Sequence, residues 1–149
     1  MCLNRKGFTL IEMLVVIAII AVLVAIVIPT VSASTTKAEA AVDAANLRSV
    51  MGQLNGVIVG SSKMSAAEAQ NLQTSESKMF PGAKMLVVYQ DPGFIDAYYV
   101  YDGQYYGLEY FSAIAQNGAN GADGISTAKP TGTGYEWFEA GVCASTETP

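Results

Sequence analysis

The chain has 149 residues, 51% of them apolar, which is room for one domain of ordinary size and an N-terminal segment. It has no histidine, which excludes Ser-His and Cys-His catalytic pairs and His-ligated metal sites and leaves only carboxylate, Lys, Tyr or lone-thiol chemistry. Behind Arg5 and Lys6 there remain six basic and thirteen acidic side chains, a formal −7 against −5 for the whole, so no direct nucleic-acid partner is expected of the folded part.

The first element is an apolar segment. Residues 8–28 contain only Thr9 and Glu12 as polar exceptions. At a helical rise of about 1.5 Å per residue they cover roughly 30 Å, the thickness of a hydrocarbon core. Arg5 and Lys6 on the N-terminal flank predict a single pass with that end in the cytoplasm. Two fates compete. A secretory signal peptide has an apolar region of roughly 7 to 15 residues and a small-x-small cleavage site. Val31-Ser32-Ala33 imitates such a site, and a cut there would release a soluble binding domain starting near Ser34. The length of the run and the presence of Glu12 stand against it. A carboxylate in the apolar layer costs on the order of 3 kcal/mol, so Glu12 needs a partner. Pro29 lacks an N–H and disfavours helix at Ile28, so a kink or break is expected there.

The stretch Asn4-Arg5-Lys6-Gly7-Phe8-Thr9-Leu10-Ile11-Glu12-Met13-Leu14 resembles the class III leader and mature N-terminus of type IV pilins and of the pseudopilins of type II secretion and competence systems. The resemblance covers about the first 30 residues. It implies that a prepilin peptidase cuts between Gly7 and Phe8 on the cytoplasmic side and N-methylates Phe8. It also implies that Glu12 pairs with the N-terminal amine of a neighbouring subunit, setting the axial stagger of a filament, and that Pro29 stands where the family has a helix-breaking proline. The plain alternative for Glu12 is that it snorkels to the interface. The organisation implied is a leader over residues 1–7, an apolar membrane and assembly helix over 8–30, and a globular head over 31–149. The partners implied are the cytoplasmic membrane before assembly, the peptidase, a pilus assembly platform and further pilin copies in a homo-oligomeric extracellular filament.

Beyond Pro29 a second amphipathic pattern starts. Ala38, Ala41, Val42, Ala45, Val50, Met51, Leu54, Val57 and Ile58 recur at three- and four-residue steps, with Lys37, Glu39, Asp43, Asn46, Arg48 and Gln53 between them. This predicts a continued helix burying the first set and exposing the second. Gly52, Gly56 and Gly60 either permit close backbone approach or mark a weakening helix end with Gly60 as its stop, the reading preferred here. Ser65-Ala66-Ala67-Glu68 has capping-box form and predicts a short helix through Leu72, before Pro81-Gly82. Residues 85–89, 94–101 and 104–111 read as an antiparallel meander, separated by Asp91-Pro92-Gly93 and Asp102-Gly103. With a two-residue turn at Asp102-Gly103, one face carries Ile95, Ala97, Tyr99, Tyr106, Leu108 and Tyr110 and covers the helix. The other sets Asp96 opposite Glu109, like charges tolerable only in water, and is expected to face solvent. The run of tyrosines invites an adhesive role, but strand propensity and packing explain most of them.

Residues 117–134 read as a loop with little core of its own. Asn117, Asn120 and Asp123 resemble in position the calcium-binding C-terminal loops of some pseudopilins, but the spacing lacks the terminal glutamate of an EF-hand, so no metal and no cofactor is expected. Residues 135–138 add a last strand. Cys2 and Cys143 lie at opposite ends and form no disulfide framework; Cys143 reads as a small half-buried apolar residue. The fold class expected is α+β, pilin-like, with a long N-terminal helix packed against an antiparallel sheet, and the function structural rather than enzymatic. A pseudopilin of a secretion or DNA-uptake system is the nearest alternative.

Overall fold

The computed structural model describes residues 7–58, 64–90, 94–131 and 135–141. Two compact units divide the chain between Thr35 and Thr36. The flanking Arg5 and Lys6, the Gly60 stop, the Asp91-Pro92-Gly93 turn and Cys143 lie outside the described residues.

Helix α1 (Leu10–Ile58) is a single element of 49 residues with Pro29 inside it. The break expected at Ile28 does not occur. Pro29 withholds one backbone donor from the Ala25 carbonyl, and a lone missing bond in a helix this long is tolerated. The hydroxyl groups that follow fold back onto the helix. Thr30 Oγ1 donates to the Val27 carbonyl at 2.8 Å, Ser34 Oγ to Thr30 at 3.0 Å and Thr35 Oγ1 to Val31 at 3.0 Å. In the first unit the apolar side chains from Leu10 to Val31 are exposed. This helix is long and apolar enough to cross a membrane.

In the second unit the C-terminal part of α1 is the spine of the core. Its buried stripe is Ala40, Asp43, Ala44, Leu47, Val50 and Leu54. The expected stripe was turned by part of a rotation: Ala38, Ala41, Val42 and Ala45 face outward. Val50 and Leu54 belong to both stripes and are buried as expected; Leu47 decides the rest, because a Leu buries far more apolar area than an Ala. Asp43, assigned to the wet face, is fully buried. Gly52 and Gly56 are exposed with nothing near their missing Cβ atoms, so they are not points of close approach.

Helix α2 (Ala66–Gln70) starts on the expected capping box, with Ser65 and Glu68 each accepting the other's backbone N–H. It stops two residues short of Leu72, which is itself buried. Strands β1 (Lys84–Gln90), β2 (Phe94–Tyr101), β3 (Gln104–Gly107) and β4 (Tyr135–Glu139) form one antiparallel sheet in the order β3-β2-β1-β4. Tyr101 pairs with Gln104 across the two-residue turn, where Asp102 and Gly103 both have positive φ, 51° and 72°. The inner face sets Met85, Val87, Tyr89, Ala97, Tyr99 and Tyr106 into the core.

Three features of the head differ from the reading of the sequence. The third strand ends at Gly107, and residues 108–111 open helix α3 (Leu108–Asn117). Leu108, Phe111, Ile114 and Ala115 recur at helical steps, and Phe111 and Ile114 are buried. Asp96 therefore never faces Glu109; it lies opposite Val88 on β1. The outer face of the sheet is also not simply wet. Leu86, Val88 and Tyr105 are buried there, beneath a cluster in which Tyr98, Tyr105 and Trp137 meet at 5.3 to 6.5 Å and Lys129 Nζ stands 5.1 Å from the Trp137 ring. Within β1 residues 85–89 are a continuous apolar run, the mark of a strand covered on both sides. Finally, the loop after α3 contributes to the core. A 3-10 turn (Ala119–Ala122) buries Ala122, and Ile125 packs beside it.

Candidate functional site

The structure places the residues singled out near the N-terminus at the start of α1. Gly7 and Phe8 precede the first helical residue and are exposed. A Cβ at Gly7 would meet nothing within 4 Å, so the fold itself does not demand glycine there. Any demand belongs to whatever binds this peptide. Pro29 lies in the middle of α1 and is not brought near the others.

Glu12 does have a partner, and the partner is Thr9. The Thr9 N–H donates to Glu12 Oε2 at 2.8 Å, and the Thr9 hydroxyl donates to the same oxygen at 2.7 Å. In return the Glu12 N–H reaches Thr9 Oγ1 at 3.4 Å and the Thr9 carbonyl at 3.1 Å. Thr9 is the residue before the helix and Glu12 the third within it, so this is a capping box. It satisfies the Thr9 amide and gives the carboxylate two donors. Glu12 also stands at the positive end of the helix dipole, where an anion is favoured. Among the described residues nothing reaches Oε1. Phe8, Ile11, Glu12, Val15 and Val16 line an open, almost wholly apolar hollow of about 390 Å³.

Thr9 was missed as a site residue. The signal was present: Thr9-Leu10-Ile11-Glu12 has the same S/T-x-x-E pattern that identified the start of α2 at Ser65-Ala66-Ala67-Glu68. The apolar residues around it drew attention to the membrane and away from the helix end.

The head offers a less defined site. A hollow of about 710 Å³ opens between Phe94, Tyr98, the start of α3 and residues 125–131. Of the two carboxylates in its lining, Asp96 and Glu109, Asp96 is already engaged by the Ala97 N–H at 2.8 Å and the Tyr98 hydroxyl at 2.7 Å. Among the described residues no three Asp, Glu or Cys side chains converge as metal ligands.

Residues 2–28 match the family model of the prokaryotic N-terminal methylation motif, the class III signal peptide of type IV pilins. The match covers under a fifth of the chain and includes Gly7, Phe8 and Glu12. No curated protein and no solved structure matches the chain. The N-terminus thus carries a motif of prepilin type, and the helix that follows is long and apolar enough to cross a membrane.

Proposed function

We propose that this chain, which carries the N-terminal methylation motif, is the prepilin of an extracellular type IV pilus. Prepilin peptidase cuts it between Gly7 and Phe8 and methylates the new amine of Phe8. The mature subunit waits in the cytoplasmic membrane as a single pass with its N-terminus inside. It then enters a filament through the apolar half of α1, drawn in by an assembly platform. Residues 1–7 are the leader, 8–30 the membrane and assembly segment, and 31–149 the head. In the filament Glu12 accepts the Phe8 ammonium of a neighbour, and Pro29 is a point at which the helix yields under load.

The observation that carries this reading is the match over residues 2–28, which contains the leader glycine, the phenylalanine and the glutamate in register. The exposed peptide at Gly7 and Phe8 supports it, because a protease needs an extended, accessible segment. So does the exposed apolar surface of α1 in the first unit, which must be covered by lipid or by other subunits. The test is N-terminal sequencing and mass measurement of the membrane and surface-sheared protein. The expected result is a chain beginning at N-methylated Phe8, present in both fractions. A chain beginning near Ser34 and found in the medium would overturn it in favour of a secreted binding domain.

A further inference from the structure

The sheet of the head has an edge that its shortest strand does not cover. β3 is four residues long and pairs with residues 98–101, while β2 begins at Phe94. Beyond Gly107 the chain turns into α3, and among the described residues no strand pairs with residues 94–97 on that side. The register identifies the groups left there. Tyr101 and Gln104 flank a two-residue turn and exchange both of their backbone bonds, so the same side of β2 carries the N–H and C=O of Tyr99, Ala97 and Ile95. Phe94, Asp96 and Tyr98 direct theirs to β1. An open row of backbone groups is a template on which a further strand pairs. The hollow of about 710 Å³ runs beside Phe94, Ile95 and Asp96 and leaves room for one.

We infer that Asp96 guards this edge against pairing with the same edge of a second copy. Its carboxylate acts on both things such a pairing needs. The first is a free donor. Oδ1 takes the Ala97 N–H at 2.8 Å, so that N–H is no longer offered outward. Oδ2 accepts the Tyr98 hydroxyl at 2.7 Å, which holds the carboxylate in place. The Tyr98 ring is itself seated over Gly107, where a Cβ would stand 2.9 Å from it. The second is compatible charge. Two β2 edges that meet antiparallel about a two-fold axis pair Ile95 of each with Ala97 of the other, the register that uses both outward-facing residues. Asp96 then stands opposite Asp96 at a Cα separation of about 4.5 Å, and like charges directly opposed destabilise the pair. Glu109, in the lining of the same hollow, adds a further negative charge. Without the carboxylate the edge is apolar and self-complementary, with Phe94 exposed and Ile95 half-buried beside it. Asp96 does this within the head alone, independently of how the N-terminus is processed.

The experiment uses the full chain in detergent micelles. Wild type, Asp96→Val, Asp96→Asn and the double variant Asp96→Val with Ile95→Pro are compared by sedimentation equilibrium, and exchange of the residue 95 amide is followed by NMR wherever Ile95 is kept. Valine suits a strand and removes both the charge and the acceptor. Proline at position 95 removes an N–H that points away from β1, so the β1–β2 ladder is kept. Association through the apolar helix is common to all four chains and cancels in the ratio. For Asp96→Val the expected result is a dimer constant about ten-fold tighter than wild type, with Ile95 amide protection that rises with protein concentration. Asp96→Asn keeps an acceptor and drops the charge, and should tighten the constant about three-fold. The double variant returns to the wild-type constant. Asp96→Val that keeps its thermal transition and associates no more tightly than wild type overturns the guard. So does tighter association that survives Ile95→Pro or leaves the Ile95 amide unprotected, because it then uses another surface. Should Asp96→Val fail to fold, Asp96→Asn decides, and no rise over wild type in that variant overturns the guard equally.

Discussion

Tyr99 shows what a single side chain of the sheet does for the head. It is fully buried against α1, and its hydroxyl donates to the Ser75 carbonyl at 2.6 Å. Burial pushes the phenol up to about 12, with the nearby Asp43 carboxylate adding to the effect. The folded head therefore keeps this proton at a pH where the unfolded chain, titrating near 10, has lost it. Its contribution to stability is whole below pH 10 and is lost as the pH rises toward 12, by about 2 to 3 kcal/mol. Urea unfolding of the head between pH 8 and pH 12 should show that decline, and Tyr99→Phe should flatten it. Burial pushes Tyr106 and Tyr110 in the same direction, so a smaller slope persists in the variant. An unchanged slope in Tyr99→Phe would assign the effect to those two. The burial of Tyr99 and Tyr106 was legible from strand alternation alone. That of Asp43 was not, because a carboxylate reads as solvent-facing until its donors, more than thirty residues away, are seen.

At the scale of elements, those donors join α1 to the segment before the sheet. Asp43 accepts the Ser77 hydroxyl at 2.6 Å, the Lys78 N–H at 2.7 Å and the Met79 N–H at 3.0 Å. Phe80 follows directly and stacks on Tyr106 and Tyr101, with ring centroids 4.2 and 5.5 Å away. The carboxylate thus fixes where an aromatic plate lands on the sheet. Asp43→Ala removes the acceptor from a buried hydroxyl and two part-buried backbone donors, which costs about 3 kcal/mol. Asp43→Asn keeps one acceptor oxygen and should lose less. Urea melts of the two variants test the ordering, and a loss below about 1 kcal/mol for alanine would mean that water reaches these groups. The elements themselves were legible to different degrees. The Ser65 capping box and the Asp102-Gly103 turn are local chemistry and were read correctly. The strand-to-helix change at Gly107 was hidden because Tyr105, Tyr106, Tyr110 and Phe111 look alike to strand propensity. Gly107 is also where the Tyr98 ring crosses close, since a Cβ there would sit 2.9 Å from it. That contact belongs to the neighbouring strand and leaves no trace in the local sequence.

At the scale of the whole molecule the sequence shows two kinds of surface, and the structure shows that all the burial lies in one of them. Every buried apolar residue described, from Ala40 to Ala140, belongs to the unit that starts at Thr36. The apolar residues from Leu10 to Val31 contribute nothing to that core. A chain reduced to residues 36–149 should then retain the whole driving force for folding, since α1 still presents Leu47, Val50 and Leu54 to the sheet. It should also be soluble, with six basic and twelve acidic side chains left to keep molecules apart. The outward Ala38, Ala41, Val42 and Ala45 are small and add no large apolar patch. The expected result is a detergent-free protein with a single cooperative thermal transition. For a domain of this size each kcal/mol moves the midpoint by roughly 4 to 8 °C, so Asp43→Ala should lower it by more than about 10 °C. Mature protein that keeps residues 8–35 should need detergent, because that segment exposes some 30 Å of apolar helix to water. A truncated chain that stays soluble but melts without cooperativity would show that residues 8–35 take part in the core, and would overturn the expectation of an independently folding head.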